Sequence, residues 1–200
     1  MRRKIALRAV GLALLVCGAL LLGRGAYIEA KAAVADYRIA RAFDAHLRDG
    51  GAHPPWSWAD THPIARLDVE RLGVRRHVLA GASGTSLAFG VGHIDGTARP
   101  NGPGNCVLAG HRDRAFGFLR DLRPGDRIRL RTASGVLEYV VEDLDIVPAT
   151  AISVADPTPD DRLTLVTCYP FDGLLRSPWR YVVTCRPAPL VSMARSGMTG

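Results

Sequence analysis

Thr164-Leu165-Val166-Thr167-Cys168-Tyr169-Pro170 strings β-forming residues into a short apolar strand and halts it just past a thiol. Pro170 has no N–H to give to a sheet ladder, so the strand ends there. Cys168 then sits at a rim, where a substrate can reach it. A cysteine closing an apolar strand is most often an ordinary buried residue. A rim thiol does chemistry only if a cationic or proton-accepting neighbour makes it a thiolate.

The best candidate for that neighbour is His111. It ends a second apolar strand, Cys106-Val107-Leu108-Ala109-Gly110-His111, entered from the turn-rich Arg99-Pro100-Asn101-Gly102-Pro103-Gly104. His46, His53, His62 and His77 lack a comparable strand-end setting and read as structural or solvated. His93, in Gly92-His93-Ile94, is intermediate.

Around these two strands the signals are mostly β. Ile64 to Val69 and Leu72 to Leu79 flank a turn at Glu70-Arg71, and Asp126 to Thr132 pairs with Val136 to Val147 through Ala133-Ser134-Gly135. Leu163 to Cys168 and Arg180 to Cys185 are the last two strands. Short helical stretches are expected at Thr85 to Phe89, Phe116 to Leu122 and near Thr150 to Val154. Many short strands of similar spacing imply a closed or nearly closed β-barrel.

The N-terminus differs. Arg2, Arg3, Lys4 and Arg8 precede an apolar run from Ala9 to Gly23, which Ile5 to Leu7 extend past Arg8. About 19 residues at ~1.5 Å each give about 28 Å, near the thickness of a bilayer core. The expectation is a transmembrane signal-anchor over residues 1–25, with the N-terminus cytoplasmic. The catalytic domain would then be extracytoplasmic or periplasmic, on the inner cell membrane. A cleaved signal peptide is the competing reading, with Ala30-Lys31-Ala32 and Ala33-Val34-Ala35 as small-residue sites. Residues 26–55 read as a helical stalk and a Gly/Pro linker, 56–187 as the barrel, and 188–200 as a tail.

The net charge is +7 and arises from arginine, with Lys only at positions 4 and 31. Basic residues alternate with apolar ones, as in Asp126-Arg127-Ile128-Arg129-Leu130-Arg131, which is how the solvated face of a strand looks. No nucleic-acid-binding motif accompanies them, so no nucleic-acid partner is expected. Cys17, Cys106, Cys168 and Cys185 form no C-x-x-C pair, which gives neither a zinc site nor a thioredoxin-like motif.

Three segments together resemble the sortases, the extracytoplasmic cysteine transpeptidases of bacterial envelopes. Thr164 to Cys168 is similar to their Thr-Leu-x-Thr-Cys strand, Ala109-Gly110-His111-Arg112-Asp113 to their histidine segment, and Arg180-Tyr181-Val182-Val183 to their arginine strand. Gly92-His93-Ile94-Asp95-Gly96-Thr97-Ala98 is a softer match. The short Tyr169-Pro170-Phe171-Asp172 segment is most like the short-loop, Gram-negative and class D-like members.

The resemblance implies a mainly β fold, an eight-stranded sortase-type barrel with short helices behind an N-terminal transmembrane helix. It implies Cys168 as nucleophile, His111 as acid and base, and Arg180 as the donor to the substrate carbonyl. Thr167 and His93 are lesser candidates for substrate or oxyanion support. The implied partners are a protein bearing a C-terminal sorting signal, an amine acceptor at the cell envelope, and the membrane. No cofactor is expected. No metal is expected either, since Asp156, Asp160 and Asp161 read as turn residues. A papain-like or L,D-transpeptidase site lacks its own motif here, and a noncatalytic binding barrel is the bland alternative.

Overall fold

A computed structural model describes residues 2–173 and 177–189. Helix α1 runs from Arg2 to Asp49. Eight strands follow: β1 (Pro63–Val69), β2 (Val74–Leu79), β3 (Val91–His93), β4 (Asn105–Ala109), β5 (Arg127–Thr132), β6 (Gly135–Pro148), β7 (Arg162–Tyr169) and β8 (Trp179–Pro187). A short helix α2 (Gly84–Phe89) lies between β2 and β3, and 3-10 turns occupy Glu70–Leu72, Gly117–Asp121 and Ile152–Ala155.

The strands close into a barrel in the order β1-β2-β3-β4-β7-β8-β6-β5. Most neighbours are antiparallel, while β2–β3 and β4–β7 are parallel. Closure follows from the length of β6. Its first half pairs with β5 and its second with β8, across a bulge between Val141 and Asp143. The extra residue there bends the strand and increases its twist.

Alternation decides which side chains go inside. In β1 the residues Ala65, Leu67 and Val69 are fully buried, while Ile64, Arg66 and Asp68 are not. Leu108, Leu130, Leu163, Leu165 and Val183 fill the same interior. Each such side chain contributes about 1.5–3 kcal/mol on burial. Cys106 and Cys185 lie in this core as free thiols. Both stand level with Leu163, one on either side of it.

The barrel belongs to a compact unit beginning at Ile39, and residues 1–38 form a separate one. Ile39, Ala42 and Phe43, at i, i+3 and i+4, are buried within the larger unit, and the Phe43 ring meets His77 edge-on at 5.4 Å. His46 Nδ1 lies 2.8 Å from the Gly51 carbonyl and His53 pairs with Asp49, so both secure the chain where α1 ends.

The membrane-crossing helix expected at residues 1–25 is not confirmed. Among the described residues no helix is long and apolar enough to cross a membrane. Arg8 and Arg24 bound the uninterrupted apolar run, whose roughly 15 residues reach about 22 Å against a core of about 30 Å. Residues 174–176, and 190–200 of the expected tail, lie outside the described residues.

Candidate active site

Directly paired residues point to the same face of a sheet, and this places the site. Cys168 pairs with Arg180 across β7 and β8, and Arg180 pairs with Val147 across β8 and β6. On the other flank Ala109 of β4 pairs with Val166 of β7, and the Gly110 N–H continues that ladder to the Val166 carbonyl at 3.2 Å. Two further residues along this register set His111 level with Cys168. Val107, Val166, Cys168, Arg180 and Val147 therefore share the outer face of the barrel. Thr167 and Tyr181 point inward.

That outer face is not open. The β6–β7 connection passes over it, and Ala151, Ile152 and Val154 wall a groove of about 140 Å³ with Val107 and Val166 opposite. Its lining is aliphatic except for Arg180. Val107 is fully buried although it faces out of the barrel, because the connection covers it. A larger hollow of about 360 Å³, bordered by Gly96, Pro103 and Pro157, has no ionisable side chain in its lining.

Cys168 is half-buried and His111 is exposed. Among the described residues the His111 imidazole has no hydrogen-bond partner, so no carboxylate orients it. Its backbone is held instead. The His111 carbonyl accepts from Phe116 N at 2.9 Å, and the Phe116 ring packs where a side chain on Gly110 would be, 2.8 Å from an added Cβ. Arg112 reaches across to donate to the Gly173 carbonyl, tying this segment to the one that follows Cys168. Sequence reasoning missed both Gly110 and Arg112, and the one signal available was that they adjoin His111.

Arg180 donates through Nη1 to the carbonyls of Ser177, at 3.1 Å, and of Trp179, at 3.0 Å. These bonds dock one arm of the guanidinium on the start of β8. Among the described residues Nε and Nη2 have no partner and are left to donate elsewhere. Beneath the rim, Tyr169, Phe171 and Tyr181 form an aromatic cluster, with Phe171 and Tyr181 5.1 Å apart and Arg120 over the Phe171 ring at 5.6 Å. Burial, with Tyr169 as a neighbour, pushes the Tyr181 hydroxyl pKa up.

The remaining sequence candidates lie apart from the groove. The Thr167 hydroxyl donates to the Gly110 carbonyl at 2.6 Å inside the barrel, so only its backbone is near the outer face. His93 is buried, its Nε2 2.8 Å from the Ala98 carbonyl and 3.2 Å from Thr97 Oγ1, and it braces the 93–98 loop. Asp113 is exposed in a turn. Asp160 pairs with Arg162, and Asp161 accepts from Gly104 N. Among the described residues no cluster of three or more His, Cys, Asp or Glu side chains is placed to hold a metal.

Comparison with known proteins agrees with this arrangement. The chain is 30% identical over 118 residues to Sortase D of Bacillus subtilis, covering 58% of this chain and 60% of that protein. The match thus spans less than two thirds of its relative. The catalytic domain of B. anthracis SrtD superposes with a TM-score of 0.55 at 32% identity, over 64% of this chain and 88% of that one. A Clostridium perfringens Sortase D5 transpeptidase superposes with a TM-score of 0.65 over 78% of this chain and 99% of that one; at 21% identity it speaks to the fold alone. The family model described as the Sortase domain matches residues 67–188. With its barrel order, and with the Cys168 strand flanked by the strands leading to His111 and Arg180, this chain belongs to the sortase family.

Proposed function

We propose that this sortase is a cysteine transpeptidase that cleaves a C-terminal sorting signal of a partner protein and passes the partner to an amine. The observation that supports this most is the shared outer face, where the Cys168 strand borders an aliphatic groove with Arg180 in its lining. An extended peptide lying in that groove presents a carbonyl to the thiol.

The Cys168 thiolate adds to that carbonyl, and the developing oxyanion takes hydrogen bonds from the unengaged arm of Arg180. Expulsion of the amine leaves a thioester, with His111 giving the departing nitrogen its proton. The incoming amine then attacks the thioester, His111 accepts its proton, and Cys168 leaves as thiolate. Product and starting enzyme balance without a cofactor.

The test uses a pentapeptide library with hydroxylamine as the acceptor. Hydroxamate products should form with the wild type and vanish in Cys168→Ala and His111→Ala. Products that persist in Cys168→Ala would rule out this chemistry.

Attachment to the membrane through residues 5–23, with the barrel on the extracytoplasmic side, belongs to the same proposal. Its support is the exposed apolar surface of Leu12, Leu14, Leu15, Leu20, Leu21 and Leu22 on α1. The full chain should stay in the membrane pellet after alkaline carbonate washing. Its recovery in the supernatant would contradict the attachment.

A further inference from the structure

The wall of the groove hangs on one buried amide. Asn105 opens β4 on the outer face and is only 5% exposed. Its Nδ2 donates to the carbonyls of Val154, at 3.0 Å, and Asp156, at 3.1 Å. Its Oδ1 accepts from the Thr164 hydroxyl at 2.7 Å, and Thr164 is buried as well. Both amide hydrogens are used, and the Thr164 bond fixes which way round the amide sits.

The rest of the β6–β7 connection shows why this matters. It is tied at one end by Ala149 N to the Pro178 carbonyl and at the other by Asp161 to Gly104 N. Between those ties its backbone hydrogen bonds are internal, such as Val154 N to Ala151 and Asp156 N to Ser153. Among the described residues, Asn105 supplies the hydrogen bonds joining residues 150–158 to the barrel. Packing onto the barrel comes from the half-buried Ala151, Val154 and Ala155, whereas Ile152 is 82% exposed.

We infer that Asn105 is a positioning residue for the substrate groove: its amide sets the distance between the 151–155 wall and Val107 and Val166. The inference rests on the reading of this groove as the peptide site. Asn105 lies five residues before Gly110 and touches no reacting atom. It acts on how tightly a peptide is held rather than on the chemical step. A wall held in place also spares the peptide the cost of ordering it.

Asn105→Asp is the informative variant. It keeps the size and the acceptor for Thr164, but turns a carboxylate oxygen toward two carbonyls in place of two donors. Three readouts on the full chain are compared. Amide exchange of residues 150–156 is expected to quicken by tenfold or more, with β7 unchanged. For the pentapeptide that acylates wild type best, KM should rise about tenfold while kcat changes less than twofold. Alkylation of Cys168 by iodoacetamide, which needs no groove, should keep its wild-type rate.

Unchanged exchange overturns the inference, as does faster exchange with an unchanged KM. A fall in kcat equal to the rise in KM also overturns it, because the amide would then act on chemistry. If Asn105→Asp does not fold, Thr164→Val frees the amide more gently and should raise KM about threefold; a wild-type KM overturns the inference equally. Failure of the wild type to be acylated by any pentapeptide would instead sink the transpeptidase reading itself.

Discussion

Cys168 and Arg180 are direct partners in the antiparallel β7–β8 pair, so both side chains leave the barrel on the same face. The backbone thus fixes their adjacency, and two bonds to the Ser177 and Trp179 carbonyls limit where the guanidinium can go. Arg180→Ala should lower the rate of thioester formation by roughly a hundredfold, the scale of losing one oxyanion donor. Arg180→Lys should also be damaging, because an ammonium cannot dock one arm and present another. Single-turnover acylation of the folded variants checks this. Wild-type rates in Arg180→Ala would remove Arg180 from the mechanism.

The thiols should separate cleanly by reactivity. Burial pushes the Cys106 pKa up to about 12 and that of Cys185 higher still, whereas Cys168 is partly open to solvent. The thiolate is the reacting species, so iodoacetamide at pH 8 should modify Cys168 while sparing the two core cysteines. Peptide mapping by mass spectrometry gives the result. Labelling of Cys106 or Cys185 in the folded protein would contradict the described packing.

Gly110 should tolerate no side chain. An added Cβ would sit 2.8–2.9 Å from the Phe116 ring, and Gly110 also presents its carbonyl to Thr167. Gly110→Ala should cost about 1–3 kcal/mol of stability through overpacking. It should also reduce activity more than tenfold, because the shift falls on the residue next to His111. Thr167→Val leaves a buried carbonyl without its donor, at a cost of about 1–3 kcal/mol. Chemical denaturation alongside hydroxamate formation measures both effects.

Mild acid should weaken the fold through His62. Burial first, then the neighbouring His46 and His53, hold its pKa below the usual histidine range. The unfolded chain takes up a proton near pH 6.5 while the folded one resists, so stability is full above that pH and declines as pH falls below it. Asp126 acts in a more acidic window. A bidentate pair with Arg71 and the Arg123 N–H hold its carboxyl below the usual range, and that stability is lost as pH falls through its folded-state pKa. Melting temperature against pH should show a decline as pH falls below about 6.5 that His62→Gln flattens. An identical decline in the variant would refute the assignment to His62.

Much of the barrel was legible because its strands advertise themselves. Pro63–Val69, Arg127–Thr132 and Arg162–Tyr169 alternate or run apolar, and their ends fall within a residue or so of the expected ones. β3 was not legible: it is three residues long and contains Gly92, whose missing side chain lets the Gly81 carbonyl and Ala82 approach. At the site, the strand ends pointed to Cys168 and His111, while Arg180 came from the family resemblance. Asn105 and the groove wall stayed hidden, because an Asn heading a strand looks like turn punctuation until its partners 49 and 51 residues away are seen. Thr167 shows the converse limit. Being next to Cys168 in sequence puts a strand residue on the opposite face.

The proposed chemistry turns on a thioester at Cys168. Incubating the full chain with the pentapeptide library and no amine acceptor, followed by acid quench and peptide mapping, tests it directly. An acyl adduct is expected on the peptide containing Cys168, released by hydroxylamine and absent from Cys168→Ala. A hydroxylamine-sensitive adduct on another residue, or one that survives in Cys168→Ala, would contradict it.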